Sequence, residues 1–210
     1  MPSAELVTDA PSRGGRLPPA EAGYPGGGDG GGGLIGDPAR FGLWLFLATL
    51  SMLFVGLTSA YLVRRESGDW LPLRPPGVLW VNTAILLASS VTLEAARRRL
   101  AAWDLSGTRR FLGGTGLLGA GFVAGQALAW RELVDRGFYL ASNPHNSFFY
   151  VLTGLHVLHL VSGLIWYCAV HYRLRRLAIA PGDDGLRLFA TYWHFLGGLW
   201  LYLLLLLFVI

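Results

Sequence analysis

The sequence predicts an all-α integral membrane protein, a bundle of five transmembrane helices. Hydrophobic residues fill 53% of its 210 positions and charged residues only 14%, whereas soluble domains have about a quarter of their residues charged. Each of five apolar stretches has about the twenty residues that a helix needs to cross some 30 Å of hydrocarbon. None alternates apolar with polar residues as a membrane strand does. The predicted spans are residues 41–63, 78–96, 111–130, 147–172 and 188–210.

The first 40 residues differ in composition from the rest. Nine glycines lie between Gly23 and Gly36, and no apolar run interrupts them. Such a segment cannot bury enough surface to offset the entropy of ordering it, and it lacks the apolar core of a secretory signal. We therefore expect residues 1–40 to form a flexible cytoplasmic tail and residues 41–210 to form the transmembrane domain.

The arginines predict the orientation. All seventeen basic residues are arginine, and an inner N-terminus places twelve of them on the inner side and five on the outer side. Cytoplasmic loops carry the excess of basic residues, so the N-terminus is predicted to be cytoplasmic and the C-terminus periplasmic. The basic balance is thus explained without a nucleic-acid partner. The single cysteine, Cys168, matches no metal spacing and is expected to pack as a small apolar residue.

Small residues recur at helical spacing in the first and third spans. Such residues let membrane helices approach closely, so both stripes are predicted to be packing faces. The first stripe comprises Gly42, Thr49, Gly56, Ser59 and Ala60, and the second comprises Gly114, Gly121 and Gly125.

Histidines mark one face of each of the last two spans. Histidine is costly in lipid unless it faces a partner or a cavity, so these faces are predicted to point into the bundle or towards a neighbouring subunit. The fourth span has Thr153, His156, His159 and Gly163 on one arc, and the fifth has Thr191, His194, Gly197 and Gly198.

Three interpretations of the histidines follow. A bis-histidine haem would need His156 or His159 together with His194, but these positions fall in opposite halves of the bilayer. A proton or ion pathway would draw on Glu94 and the histidines, but Arg97 and Arg98 can pair with Glu94 at a helix end. The favoured interpretation is structural, with the histidines hydrogen-bonding between helices or to a partner.

The motifs resemble one known family. Residues 148–163, FFYVLTGLHVLHLVSG, closely resemble the FF..TG.H..H...G signature of subunit III of the haem–copper (cytochrome c) oxidases. Residues 191–206, TYWHFLGGLWLYLLLL, are similar to that family's YWHF....W.F segment. The first span and the SSVTLEAARRR end of the second also look like the family. The resemblance covers nearly all of residues 41–210.

The resemblance implies the five-helix form of the family, in a bacterial inner membrane. Family members are non-catalytic subunits that hold no haem or copper, because these belong to partner subunits I and II. They pack beside subunit I, bind phospholipids, and support assembly and sustained proton uptake during aerobic electron transport. Whether the complex joins a larger respiratory supercomplex stays open.

The resemblance also implies roles for single residues. Arg173 falls where family members often carry an arginine near lipid headgroups. Glu94 is a candidate for a proton or ion-pair role on its position alone, and not through the resemblance. Two departures concern family acids: Leu50 replaces the glutamate of the first span, and Gly197 replaces an acid of the last. The motif residues carried over are His156, His159, Tyr192, Trp193, His194, Phe195 and Trp200.

Three alternatives to an oxidase subunit remain open at this point. The first, within the same family, is an accessory membrane subunit of a nitric oxide reductase. The second is a stand-alone haem-binding membrane cytochrome, and the third is an independent transporter.

Overall fold

The computed structural model describes residues 37–66, 77–140, 143–176, 179 and 183–208. Within these residues the chain is all-helical, and all five helices are long and apolar enough to cross a membrane, which confirms the predicted fold class. Residues 1–36, most of the predicted tail, lie outside the described part. The helices are α1 (Pro38–Arg65), α2 (Gly77–Ala101), α3 (Leu105–Asp135), α4 (Pro144–Arg175) and α5 (Asp184–Phe208).

The helices begin before the predicted apolar spans because capping residues, rather than hydropathy, determine where a helix starts. α1 begins at Pro38, where the side chain of Asp37 accepts a hydrogen bond from the Ala39 amide at 3.1 Å. α4 begins in the same way at Pro144, with Asn143 as its capping residue. A capping side chain followed by proline satisfies the free amides of a first helical turn without help from apolar burial.

A tight turn joins α2 to α3 and makes them antiparallel neighbours. Trp103 has a positive φ of 59°, and the Asp104 amide donates back to the Arg99 carbonyl at 3.0 Å. This is the left-handed helix ending that usually uses glycine. Asp104 then caps α3 by accepting from the Gly107 amide at 2.8 Å, and this bond holds the pKa of Asp104 below its ordinary value.

The glycine stripe predicted on the third span packs against α2. A Cβ placed on Gly114 would meet Thr92 at 3.8 Å, and one placed on Gly121 would meet Ile85 at 4.0 Å. Gly125 is so close to the Asn82 side chain that no Cβ would fit. The prediction of a close-packing face on this helix is confirmed, because all three glycines face the same neighbour.

The small-residue face predicted on the first span is wrong. A Cβ on Gly42 or Gly56 would meet nothing within 4 Å, and the other members of that stripe are exposed. α1 contacts only α4 and α5 among the described helices, so it turns one side inward and fills the space there with large residues. Those buried residues are Leu43, Leu47, Leu50, Phe54 and Tyr61.

Two ends of the bundle can be named from the chain direction. The amino end is where α1, α3 and α5 begin and where α2 and α4 finish. The carboxyl end is the opposite one. Of the described helices, α5 has neighbours on three sides, since it contacts α1, α2 and α4, and it carries much of the buried aromatic surface.

Candidate functional site

The histidine face of α4 points into the bundle. His156 is fully buried, and its ring centroid lies 5.9 Å from that of Phe122 in α3 and 5.2 Å from that of Trp200 in α5. Thr153, one turn earlier, accepts a hydrogen bond from the Trp130 indole at 3.2 Å. His156 therefore sits in an aromatic enclosure where three helices meet.

Neither ring nitrogen of His156 has a hydrogen-bond partner within the described residues, and the same holds for both amide atoms of the buried Gln126. Because α3 and α4 are antiparallel, each step along α3 matches one step back along α4, and this register places Gln126 at the level of Val157, the residue after His156. Three contacts define that register, joining Gly116 to Tyr167, Gly119 to Leu164 and Trp130 to Thr153.

His159 lies one turn deeper, where α1, α4 and α5 meet. Its Nδ1 donates to the Leu155 carbonyl at 2.6 Å, and its ring centroid lies 6.2 Å from that of Phe54 in α1. The Tyr192 hydroxyl donates to the His159 carbonyl at 2.8 Å and also contacts Ser162. This part of α4 is thus tied to α5 by a buried tyrosine.

Two tryptophans of the α5 motif tie that helix to α2. The indole of Trp193 donates to Ser89 Oγ at 3.0 Å, and the indole of Trp200 donates to Thr83 Oγ1 at 3.0 Å. Both rings are buried, and aromatic side chains with a polar atom are stable in such places only when that atom is bonded. The motif residues Tyr192, Trp193 and Trp200 therefore hold helices together.

Only part of the predicted face of α5 points into the bundle, and whether the rest faces a neighbouring subunit stays a prediction. Gly197 is buried, and a Cβ placed on it would meet Ser90 Oγ at 3.6 Å, but His194 and Gly198 are exposed on the outside of the bundle. α5 can bury only part of its circumference, and its large aromatic residues gain more from burial than histidine does. His194 consequently lies on the exposed face of α5, whereas Trp200, which packs on His156, lies on the buried face.

This arrangement separates the candidate haem ligands. His156 is enclosed by packed rings of α3 and α5, whereas His194 points away from the bundle. The two imidazoles therefore do not face a common space. Among the described residues, moreover, no cluster of three His, Cys, Asp or Glu side chains could hold a metal ion.

Charged residues gather at the amino end. Glu94 accepts from Arg97 at 2.8 Å and from Arg98 at 3.4 Å, and these three residues line an open cavity of about 280 Å³ between α2 and α5. Arg173, the candidate lipid contact, donates to Asp183 at 3.0 Å. Asp183 in turn accepts from the Leu186 amide at the start of α5.

Both positions at which the resemblance predicts a departure from acidic residues are buried. Leu50 is 3% exposed and lies one turn from Phe54, which contacts His159. Gly197 sits in the seam between α5 and α2. An acid at either position would face protein rather than lipid, so this chain presents an apolar side chain and a close helix contact there instead.

Sequence reasoning missed several polar residues of the site. Ser89 and Thr83 accept the two indole bonds, and Asn82 donates to the Phe122 carbonyl at 3.4 Å. Gln126 and His145 are also buried. Their signal was present, since each is a polar residue within or beside an apolar span, where burial without a partner is costly.

Five membrane-crossing helices joined by buried indole and tyrosine hydrogen bonds define the class, a polytopic integral membrane protein. The family model for cytochrome c oxidase subunit III matches residues 33–210. The chain therefore belongs to the cytochrome c oxidase subunit III family, as the motifs indicated. Membership makes it part of an oxidase complex with other subunits.

Curated relatives agree with the family. A probable cytochrome c oxidase subunit 3 of Nocardia farcinica is 33% identical over 76% of this chain and 82% of its own length. The corresponding subunit of Thermostichus vulcanus is 33% identical over 80% of this chain and 86% of its own. A cytochrome bo(3) ubiquinol oxidase subunit 3 of Pseudomonas putida is 30% identical over 79% and 83%.

Proposed function

We propose that this chain is the non-catalytic subunit III of a haem–copper oxidase in a bacterial inner membrane, where it supports assembly and sustained proton uptake during aerobic electron transport. Haem and copper reside in partner subunits I and II. The proposal rests on one observation, which is that the motif side chains make contacts between helices. Trp193 and Trp200 donate hydrogen bonds to α2, and the His156 ring packs against aromatic rings of neighbouring helices. These side chains bind helices to one another.

The orientation follows from charge. Twelve of the seventeen arginines fall on the side where α1 begins, and five fall on the other. The positive-inside rule then makes the amino end cytoplasmic and the carboxyl end periplasmic. Arginine-specific modification of sealed inner-membrane vesicles, compared with intact spheroplasts, tests this assignment. Labelling of Arg136 from the periplasmic side supports it, and labelling of Arg110 from that side contradicts it.

Purification in mild detergent through an N-terminal tag tests the main proposal. We expect mass spectrometry to find the large catalytic subunits with this chain, and a visible haem spectrum that disappears when those subunits are stripped away. If the chain emerges alone and carries haem, it is instead a membrane cytochrome. In that case His156→Phe and His194→Phe identify the axial ligands by loss of the spectrum.

The electron donor and acceptor distinguish the family alternatives. A relative in Pseudomonas putida is named as a ubiquinol oxidase subunit, and nitric oxide reductases provide the accessory-subunit alternative. The purified complex is supplied with reduced cytochrome c or with ubiquinol, and uptake of oxygen or of nitric oxide is recorded. Oxygen uptake supports an oxidase, and uptake of nitric oxide alone supports the reductase.

We also propose that phospholipid headgroups contact Arg173 at the inner membrane edge. Its guanidinium holds Asp183 and is 47% exposed, so a phosphate can share it as a further acceptor. Native mass spectrometry of Arg173→Gln should find fewer bound phospholipids per chain. The matched control is Arg136→Gln, an exposed ion-paired arginine at the other end of the bundle, and equal losses in both variants would contradict a specific site.

The role proposed for Glu94 is an ion pair that shapes the amino end. It lines a charged cavity with Arg97 and Arg187. If subunit III sustains proton uptake, the complex should inactivate faster during turnover once this chain is removed. Glu94→Gln in the intact complex should leave turnover close to wild type if the role is structural, and should slow it only if the carboxylate carries protons.

A further inference from the structure

The outward stripe of α5 combines a histidine with small and apolar residues. His194, Gly198, Leu201 and Leu205 are all exposed and follow one another at helical spacing. α1 and α2 both contact α5 but, among the described helices, do not contact each other. This stripe, called here the α5 stripe, therefore runs between two flanking helices.

His194 lies deep along the helix. It is six residues inside the apolar span that begins at Leu188, which is about 9 Å at 1.5 Å per residue. It makes no hydrogen bond within the described residues, whereas the outward hydroxyls of Thr49 and Thr191 donate to carbonyls of their own helices. An imidazole can donate one N–H to a carbonyl of its own helix, as His159 does to Leu155 at 2.6 Å, but its second ring nitrogen then still lacks a partner, and lipid does not supply one.

A hollow lies beside the α5 stripe and could receive a side chain from a partner. It has a volume of about 340 Å³, lies between α1 and α5, and is lined mainly by apolar side chains, including Phe54, Val55 and Phe195, and by Gly198. At its carboxyl-end side the Tyr202 hydroxyl donates to Thr58 at 2.8 Å. The hollow is large enough for one bulky apolar side chain.

We propose that the α5 stripe and this hollow form the docking surface for a transmembrane helix of another subunit of the complex. That helix inserts a large apolar side chain beside Gly198 and presents a hydrogen-bonding side chain to His194. The inference rests on the proposed function, because it needs a membrane-embedded partner subunit. A lipid acyl chain could fill the hollow, but it offers no hydrogen-bonding group at the depth of His194.

Among the described helices only α5 has an exposed histidine; the exposed face of α1 has small residues and hydroxyls, including Gly56 and Ser59, but no histidine. The outward faces of α3 and α4 present large apolar residues such as Leu117 and Leu158, which suit lipid. Glu94 and Arg97 of α2 are the charged residues nearest in electrostatic terms to His194, and they pair with each other. Membrane interfaces between subunits favour this mixture of small residues and a few hydrogen-bonding ones.

Glycine-to-tryptophan substitutions test the surface without disturbing the inside of the chain. A Cβ on Gly198 meets nothing within 4 Å, and the same is true of Gly113 on α3 and Gly56 on α1. We expect Gly198→Trp in the tagged full-length chain to reduce co-purified catalytic subunits by about tenfold or more, the effect of some 1.4 kcal/mol. Gly113→Trp is the matched control and should retain them, as should Gly56→Trp.

Several outcomes would overturn the inference. Retention of partner subunits by Gly198→Trp is one, and their loss in Gly56→Trp but not in Gly198→Trp would move the interface to α1. Retained subunits with fewer bound phospholipids would make the hollow a lipid site. If wild-type chain captures no other subunit, the proposed function itself has failed, which is a separate result.

Cysteine labelling covers the case in which Gly198→Trp does not fold. In a Cys168→Ser background, Leu201→Cys lies on the α5 stripe and Leu117→Cys lies on α3, and both positions are exposed. A membrane-permeant maleimide should label Leu201→Cys only after the complex is dissociated, and Leu117→Cys equally before and after. Equal labelling of Leu201→Cys in both states contradicts a protein partner on this face.

Discussion

The indole nitrogen of Trp193 donates a hydrogen bond to the hydroxyl of Ser89, 104 positions earlier in the chain, at 3.0 Å. Both side chains are fully buried, so this bond joins α5 to α2 at a depth that water does not reach. Trp200 repeats it with Thr83 two turns further along α5. These two hydrogen bonds thus join α5 to α2, which forms a helical hairpin with α3.

A double-mutant cycle should measure this bond. Trp193→Phe and Ser89→Ala each remove one partner, and the coupling between them should be about 0.6 to 1.7 kcal/mol, the range found for hydrogen bonds between membrane helices. Unfolding of the purified chain in mixed micelles gives the free energies. The pair Trp193→Phe with Thr83→Ala serves as control and should show no coupling, and coupling of equal size there would contradict a specific bond.

Gln126→Met should stabilise the protein by about 1 to 3 kcal/mol, because it removes a buried amide whose two polar atoms have no partner among the described residues. Asn82→Leu is the matched control and should destabilise, since its amide bonds to the Phe122 carbonyl. Thermal unfolding of the two variants gives the comparison. A lower unfolding temperature for Gln126→Met would mean that its amide has a partner in the folded protein, with neighbouring His156 as the first candidate.

Trp103→Gly should be more stable than Trp103→Ala by about 1 to 2 kcal/mol. Residue 103 has a positive φ in the turn between α2 and α3, and a left-handed conformation costs a residue with a Cβ that much. Both variants lose the exposed indole, so their difference isolates the backbone. Chemical denaturation in detergent provides the measurement, and equal stabilities would show that the turn relaxes when the ring is removed.

Asp104 should make the stability depend on pH. Its pKa lies below the ordinary value because its carboxylate accepts from the Gly107 amide and from Ser106. Because the pKa is lower in the folded state, the unfolded chain binds the proton first as the pH falls. The stabilisation of the folded state by the ionised Asp104 carboxylate is therefore complete above about pH 4 and is lost as the pH falls through the folded-state pKa.

The comparison for this pH effect is between the wild type and Asp104→Ala. The difference in their unfolding temperatures should be largest near neutral pH and should shrink as the pH is lowered below about 4. Other carboxylates titrate in both proteins and largely cancel. A difference that stays constant down to pH 3 would show that the carboxylate does not act through its charge.

The sequence by itself determined the number of helices, because length and apolarity are sums along a segment and do not depend on neighbours. It also predicted the packing face of α3, since Gly121 and Gly125 are one turn apart and only a close helix contact suits such a pair. The motif segments around His156 and His194 identified the family, which the comparison with its model confirmed.

Only the tertiary structure decided how each helix is rotated about its axis. Rotation depends on which neighbours a helix has, and the sequence of one helix does not contain that information. α1 has neighbours on one side, so Leu50 and Phe54 turn inward and its small residues outward. α5 packs against three helices, and Trp193 and Trp200 gain more from burial and a bonded indole than His194 would, so the histidine faces out.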